Sequence, residues 1–154
     1  MKMLTTGAAW IDAQREFARA ARARRRAAIW QRLHGRTGDA VRLAVYGDGE
    51  LGRAHGGAGR RVHEIPLEAI AGTLEPSRAA LFDRCFRPAK AAGCRWQRLW
   101  LAEQRGAALP PISVVRVGNG YAVRDGHHRV SVARARGALT IDATVEAPCA
   151  IGAR

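Results

Sequence analysis

Residues 112–145 constrain the fold more than any other part of the sequence, because strand-like and helix-like patterns alternate there at short spacing. Two β-rich runs flank an Asn-Gly pair at 119–120, which predicts a hairpin whose two central turn residues both accept positive φ. The second run stops at Gly126. A short helix is predicted over 128–136, and the alternation of residues 139–145 predicts a final strand. This order of elements is typical of an α+β domain.

The compact domain is predicted to span residues 61–154, and its first half adds one strand and two helices. Residues 62–67 have a strand-like pattern. Pro76 is a residue type suited to the first turn of a helix, so the apolar residues at 81–86 are predicted to be helical. Residues 94–104 place two tryptophans and a leucine on one face of a second helix.

The first 34 residues predict a basic amphipathic helix. Residues 8–33 have high helix propensity and contain no proline, and Gly35 supplies a C-terminal cap. The apolar residues predicted to form its packing face are Trp10, Phe17, Ala20, Ala21, Ile29, Trp30 and Leu33. Another face carries Arg15, Arg19, Arg22 and Arg26. These arginines are either simply solvated or contact nucleic acid or an acidic partner, and both interpretations stay open.

The segment between this helix and the domain, residues 35–60, is predicted to be a linker with one marginal element. Eight of the chain's 17 glycines lie in it, around one short apolar run at 41–46. Its glycines fit neither the dinucleotide-binding pattern nor the P-loop pattern. A flexible connection is therefore favoured over a phosphate-binding loop.

Composition bounds the partners and the compartment. The 26 Lys and Arg residues outnumber 13 Asp and Glu, which gives a net charge of +13 and predicts attraction to polyanions such as nucleic acid. No apolar run is long enough to span a membrane or to form a signal peptide, so a cytoplasmic protein without membrane contact is expected. The three scattered cysteines are predicted to be reduced thiols.

The turn that follows the second hairpin strand carries the most specific chemistry. Asp125-Gly126-His127-His128-Arg129 leads from the strand into the helix. The first helix amides lack internal partners and form an anion site, Gly126 lets a ligand approach the backbone, and Arg129 can donate two parallel bonds to a phosphate. In the alternative, the turn is a plain helix cap and Arg129 pairs with Asp125 or another carboxylate. A metal site on the two histidines is disfavoured, because adjacent side chains diverge.

The run from residue 110 to residue 137, with its hairpin and the Asp-Gly-His-His-Arg turn, resembles the N-terminal domain of ParB chromosome-partitioning proteins and the related sulfiredoxins. The resemblance covers about residues 62–145. It implies a small mixed sheet with packed helices, here preceded by the long basic helix. It also implies that the turn binds nucleotide phosphates, as CTP, ATP or ADP, with Mg²⁺ as an accompanying ion.

Carried over position by position, the resemblance predicts a set of site residues. The phosphate-binding residues are Gly126, His127, His128, Arg129 and, from an upstream motif, Arg78. Glu75 either activates a water or hydroxyl or merely caps the helix at Pro76. His127 stands where sulfiredoxins have their reactive cysteine, so a sulfiredoxin-type reductase is not expected.

Three functions are compatible with this pattern. The first is a nucleotide-binding, DNA-associated partition or regulatory factor that holds DNA through Arg15, Arg19, Arg22 and Arg26. The second is a small kinase, nucleotide hydrolase or nuclease of the same fold. The third is a non-catalytic protein-interaction module. The chain ends at Arg154, so the helix-turn-helix DNA reader of ParB proteins is not expected, and a homodimer stays open.

Overall fold

The computed structural model describes residues 4–36, 41–51 and 61–147, and within them the chain forms three α-helices and six strands. The helices are α1 (Leu4–Leu33), α2 (Gly93–Gln104) and α3 (His127–Ala135). The strands are β1 (Ala44–Val45), β2 (Val62–Pro66), β3 (Ile70–Thr73), β4 (Ile112–Val117), β5 (Gly120–Asp125) and β6 (Thr140–Glu146).

The strands form one mixed sheet in the order β1-β3-β5-β4-β6-β2. The pairs β1/β3, β3/β5 and β4/β6 are parallel, whereas β4/β5 and β2/β6 are antiparallel. The predicted α+β class with a mixed sheet is therefore confirmed. Strand β5 lies inside the sheet, and the turn into α3 leaves from its end.

The hairpin is present, but its turn lies one residue earlier than predicted. Val117 pairs with Gly120, so the two-residue loop consists of Gly118 and Asn119. Gly118 has a φ of 52°, and Asn119 is not among the described residues with positive φ. A glycine at the first central position suffices for this turn, and Gly120 becomes the first residue of β5.

The prediction of a helix after Pro76 is wrong. The structure has only a single 3₁₀ turn, Pro76–Arg78, followed by irregular backbone. The buried carboxylate of Asp83 accepts hydrogen bonds from the backbone N–H groups of Cys85 and Arg87, each at 2.9 Å, and so holds a tight loop in place of a helix. Phe82 and Phe86 still enter the core, but from this loop.

Helix α1 packs on α2 through small residues and one phenylalanine. Ala13 is buried in the same cluster as Trp96, and the rings of Phe17 and Trp96 have centroids 5.6 Å apart. Ile29 and Leu33, predicted to pack, are exposed instead. They follow Arg22 by seven and eleven residues and so lie almost on its side of the helix, which faces solvent. Trp10 and Trp30 are exposed as well.

Part of the predicted linker belongs to the sheet. Residues 44–45 form β1, which pairs with β3, and the neighbouring Leu43 is buried in the main core cluster. Two other parts of the predicted linker, residues 37–40 and 52–60, lie outside the described residues.

None of the described helices combines the length and the apolar character needed to span a membrane.

Candidate functional site

The path of the chain from β5 into α3 depends on Gly126. Its φ is 105°, a conformation that L side chains rarely adopt. A Cβ at this position would lie 2.5 Å from Cγ2 of Ile112. Glycine is thus required here because strand β4 packs closely against the turn. The space left by the missing Cβ is taken by Ile112. The sequence interpretation, in which the missing Cβ makes room for a ligand, is corrected on this point.

The turn leaves backbone donors at the start of α3. Val130 is the residue whose N–H donates to the Gly126 carbonyl, at 3.0 Å. The amides of His127, His128 and Arg129 precede it, and Gly126 has no side chain with which to cap them. Three N–H groups at the positive end of a helix dipole form a site for an anion.

Two arginines from other elements border these amides. A hollow of about 40 Å³ is lined by Arg78, Arg95, Leu99, Asp125 and the turn residues 126–129. Arg78 comes from the 3₁₀ turn and Arg95 from the first turn of α2. Neither takes part in the salt bridges formed among the described residues. The hollow therefore has a positive lining and holds little more than one phosphate-sized group.

The sequence predicted Arg78 at this site and missed Arg95. Arg95 lies one residue before Trp96, whose ring is fully buried and whose Nε1 donates to Oγ of Ser131 in α3 at 2.9 Å. That packing fixes the rotation of α2 and brings Arg95 over the start of α3. Helical spacing alone gives the relative faces of α2, but it does not say which neighbour each face meets.

The side chain of His127 points into the core, so its imidazole does not face solvent. The side chain is 4% exposed, its Nε2 lies 2.6 Å from Oγ1 of Thr73, and its ring is stacked near Phe82 with centroids 6.3 Å apart. Burial, and next the charge of Arg78, lowers the pKa of His127 to about 4. Its contribution to an anion site is therefore its backbone N–H.

His128 is also buried and neutral near pH 7. The side chain is 8% exposed, and its ring meets Phe82 edge-on with centroids 5.1 Å apart. Burial lowers the pKa of His128 to about 4, helped by the positive charges of Arg95 and Arg78. The same two guanidinium groups thus set the local electrostatics of the site.

Arg129 is occupied by the protein itself. Its Nη2 donates to Oδ2 of Asp125 at 2.7 Å, and its Nη1 donates to the carbonyl oxygens of Pro110 and Pro111, the latter at 2.8 Å. This is the Asp125 pairing raised as the alternative from sequence. In this conformation the guanidinium ties the turn to the start of β4, and the cations left for an anion are Arg78 and Arg95.

The remaining predicted residues lie elsewhere. Glu75 is exposed, and the hollow described above is not lined by it. Its side chain does not cap the 3₁₀ turn either, whereas its backbone N–H donates to Oγ1 of Thr73 at 2.8 Å. The arginines predicted to contact nucleic acid are all exposed on α1: Arg15, Arg19, Arg22 and Arg26.

Comparisons with known proteins give a distant structural likeness. No protein-family model matches the chain, and no curated protein matches its sequence. The structure is similar to sulfiredoxin from Arabidopsis thaliana, with a TM-score of 0.42 and 22% sequence identity over 56% of this chain and 85% of that chain. So distant a likeness assigns neither a ligand nor an activity to this chain.

Proposed function

We propose that this chain binds a nucleotide by holding one of its phosphate groups at the N terminus of α3. The observation that carries the proposal is the convergence of three backbone amides and the guanidinium groups of Arg78 and Arg95 around one small hollow. A phosphate offers several acceptor oxygens, so amides and guanidinium groups can bind it together.

The size of the hollow defines how the ligand would sit. Ligand pockets usually measure about 300–1,000 Å³. At about 40 Å³ this hollow takes a single phosphate group, and the rest of the ligand lies over the exposed surface around Arg95. The sequence resemblance to ParB and sulfiredoxin domains favours CTP, ATP or ADP as the carrier of that phosphate.

Asp125 tunes the site in two ways. Its carboxylate lines the hollow and neutralises Arg129, so it weakens the attraction for a bare phosphate. It is also 71% exposed and is the carboxylate at the hollow that a nucleotide-bound Mg²⁺ would meet. A catalytic step is not part of the proposal, because Glu75 does not line the hollow.

Substitution of the two free arginines tests the proposal. Arg78→Met and Arg95→Met are each expected to weaken the binding of ATP or CTP about 10- to 100-fold, because each removes a charge-assisted hydrogen bond. Arg105→Met, exposed at the C-terminal end of α2 and not part of the hollow's lining, is the matched control and should bind as the parent does. Titration calorimetry with each nucleotide, with and without Mg²⁺, measures the change.

Asp125→Asn provides a second test, in which binding is expected to become stronger. Loss of its negative charge should strengthen binding of inorganic phosphate, since the charge of Arg129 is then no longer compensated by a carboxylate. Equal affinity of the parent, the Arg78 and Arg95 variants and the control for every nucleotide would refute the proposal.

A second binding function is favoured by the outer face of α1. Arg15, Arg22 and Arg26 are exposed there, and Arg19 has only a 4.0 Å contact with Oε1 of Glu16. We infer that this stripe holds nucleic-acid backbone through its phosphates. With about four phosphates neutralised, log affinity for duplex DNA should fall with log salt at a slope of about −4.

Replacing Arg15, Arg22 and Arg26 together by glutamine should bring the slope close to −1, because about three phosphate contacts are lost. Fluorescence anisotropy across a salt series measures both slopes. An affinity for DNA that does not change with salt in the parent protein contradicts this second function, and it leaves the phosphate site at α3 untouched.

A further inference from the structure

A second concave site lies at the other end of α3. An open cavity of about 760 Å³ is bordered by α1, the connection between β2 and β3, the loop at residues 85–88 and the C-terminal half of α3. It shares no lining residue with the phosphate hollow. Its volume falls in the range that binds small organic molecules. We call it the α1–α3 cavity.

Arg19 and Arg87 line this cavity and form salt bridges, and the third arginine of its lining, without one among the described residues, is Arg134. Its Nη2 donates to the carbonyl oxygen of Leu67 at 2.7 Å, and its guanidinium lies over the ring of Phe86 at 5.4 Å. Its Nε is buried without a hydrogen-bond partner among the described residues. Burial lowers the pKa of Arg134, which reflects the cost of holding this cation away from water.

Two carboxylates line the cavity, Glu16 and Glu68, and neither forms a salt bridge with Arg134. The charge of Asp83 opposes part of the effect of burial on the pKa of Arg134, but its carboxylate is engaged elsewhere. Asp83 pairs with Arg87, whose Nε donates to its Oδ2 at 2.8 Å. Glu16 has its 4.0 Å contact with Arg19 on α1. Among the salt bridges of the described residues, none includes Arg134. A half-buried cation without a directly paired carboxylate is unfavourable, and an anion entering the cavity would reduce that cost.

The rest of the cavity suits an apolar body attached to that anion. Its walls include Ala20 and Ala23 of α1, Pro88 and Leu139. Leu139 is 84% exposed, so a large apolar side chain stands at the rim without protein cover. Phe86, beneath Arg134, has a φ of 57°, and strain of this kind in a residue other than glycine is concentrated at binding and catalytic sites.

We propose that the α1–α3 cavity binds a small organic anion with an apolar body, of the class of aryl carboxylates. The carboxylate pairs with the guanidinium of Arg134, and the ring lies among the alanines of α1 and Pro88. Of the three arginines that line the cavity, Arg19 contacts Glu16 and Arg87 pairs with Asp83, whereas Arg134 has no salt bridge among the described residues. One such cation suits a monoanion, and polyphosphates belong to the other end of α3. The proposal is independent of the phosphate site.

Matched pairs of probes test this site. Benzoate and indole-3-acetate are titrated into the intact protein, followed by two-dimensional NMR, beside benzamide and indole-3-acetamide. We expect the acids to bind saturably with shifts at Ser131, Arg134 and Ala135, and the uncharged amides to bind at least about tenfold more weakly, as expected for a lost charge-assisted bond.

Two variants localise the binding. Arg134→Met should weaken the acids at least about tenfold. Because Arg134 also supports the Leu67 carbonyl, Ala135→Leu provides a second arm: Ala135 is exposed and lines the cavity, so the larger side chain narrows it without entering the core. Ala107→Leu, exposed and away from the cavity, is its control.

Acids that fail to bind the parent protein overturn the proposal, and so does binding that survives both Arg134→Met and Ala135→Leu. Arg78→Met is expected to leave acid binding unchanged, which keeps a failure of the phosphate site distinguishable from a failure here.

Discussion

Acidification from pH 7 to pH 4 should destabilise the folded chain by several kcal/mol, because two buried histidines resist protonation. The folded-state pKa values of His127 and His128 are both about 4, against an ordinary value of 6.5. Between these values the unfolded chain binds protons that the folded chain does not. The free energy of unfolding therefore rises with pH across this window, by up to roughly 3 kcal/mol per histidine.

Denaturant titrations at intervals from pH 4 to pH 7 measure this dependence. His128→Gln should remove about half of it, and His63→Gln, at an exposed position in β2, should leave it intact. The variant comparison separates the histidines from carboxylates that titrate near pH 4. Equal pH dependence in the parent and in His128→Gln would contradict the burial of a neutral imidazole at the start of α3.

Gly126→Ala should destabilise the protein by about 2 to 5 kcal/mol. An L-residue at left-handed φ costs about 1 to 2 kcal/mol. The added Cβ would also meet Cγ2 of Ile112 at 2.5 Å in a fully buried region, and overpacking of this kind costs about 1 to 3 kcal/mol. The shift of the urea midpoint gives the sum of the two effects.

Gly106→Ala separates the two contributions. Gly106 follows α2 with a φ of 76°, and a Cβ there would meet nothing within 4 Å. It should therefore show the backbone cost alone. If Gly126→Ala is no more destabilising than Gly106→Ala, the contact between the turn and Ile112 does not constrain the chain as described.

Local sequence patterns predicted the helices and strands whose own residues carry a continuous hydrophobic periodicity. The hairpin, α2, α3 and β6 were found because each carries a continuous pattern with a recognisable end. Strand β3 was missed, since Ile-Ala-Gly-Thr at 70–73 is short and pairs with β5 about 50 residues later in the chain. Strand β1 has only two residues, and it is a strand because β3 is beside it.

The sequence predicted the position of the backbone amides at the candidate site better than the directions of its side chains. The start of a helix after Gly126 follows from local rules, and it places the amides. The directions of His127 and Arg129 are decided by Thr73 and by Pro110 and Pro111, which are remote in sequence or outside the motif. Arg95 lies at the site because α2 packs against α3, and no local sequence pattern predicts that packing.

The central claim is that the first amides of α3 bind a phosphate group. Its most direct test is a two-dimensional NMR titration of the protein with ATP, followed at the backbone N–H signals of His127, His128 and Arg129. We expect these three signals to shift saturably, with a common dissociation constant that Arg78→Met raises about 10- to 100-fold. Saturable shifts confined to other parts of the chain, with these three amides unmoved, would contradict the claim.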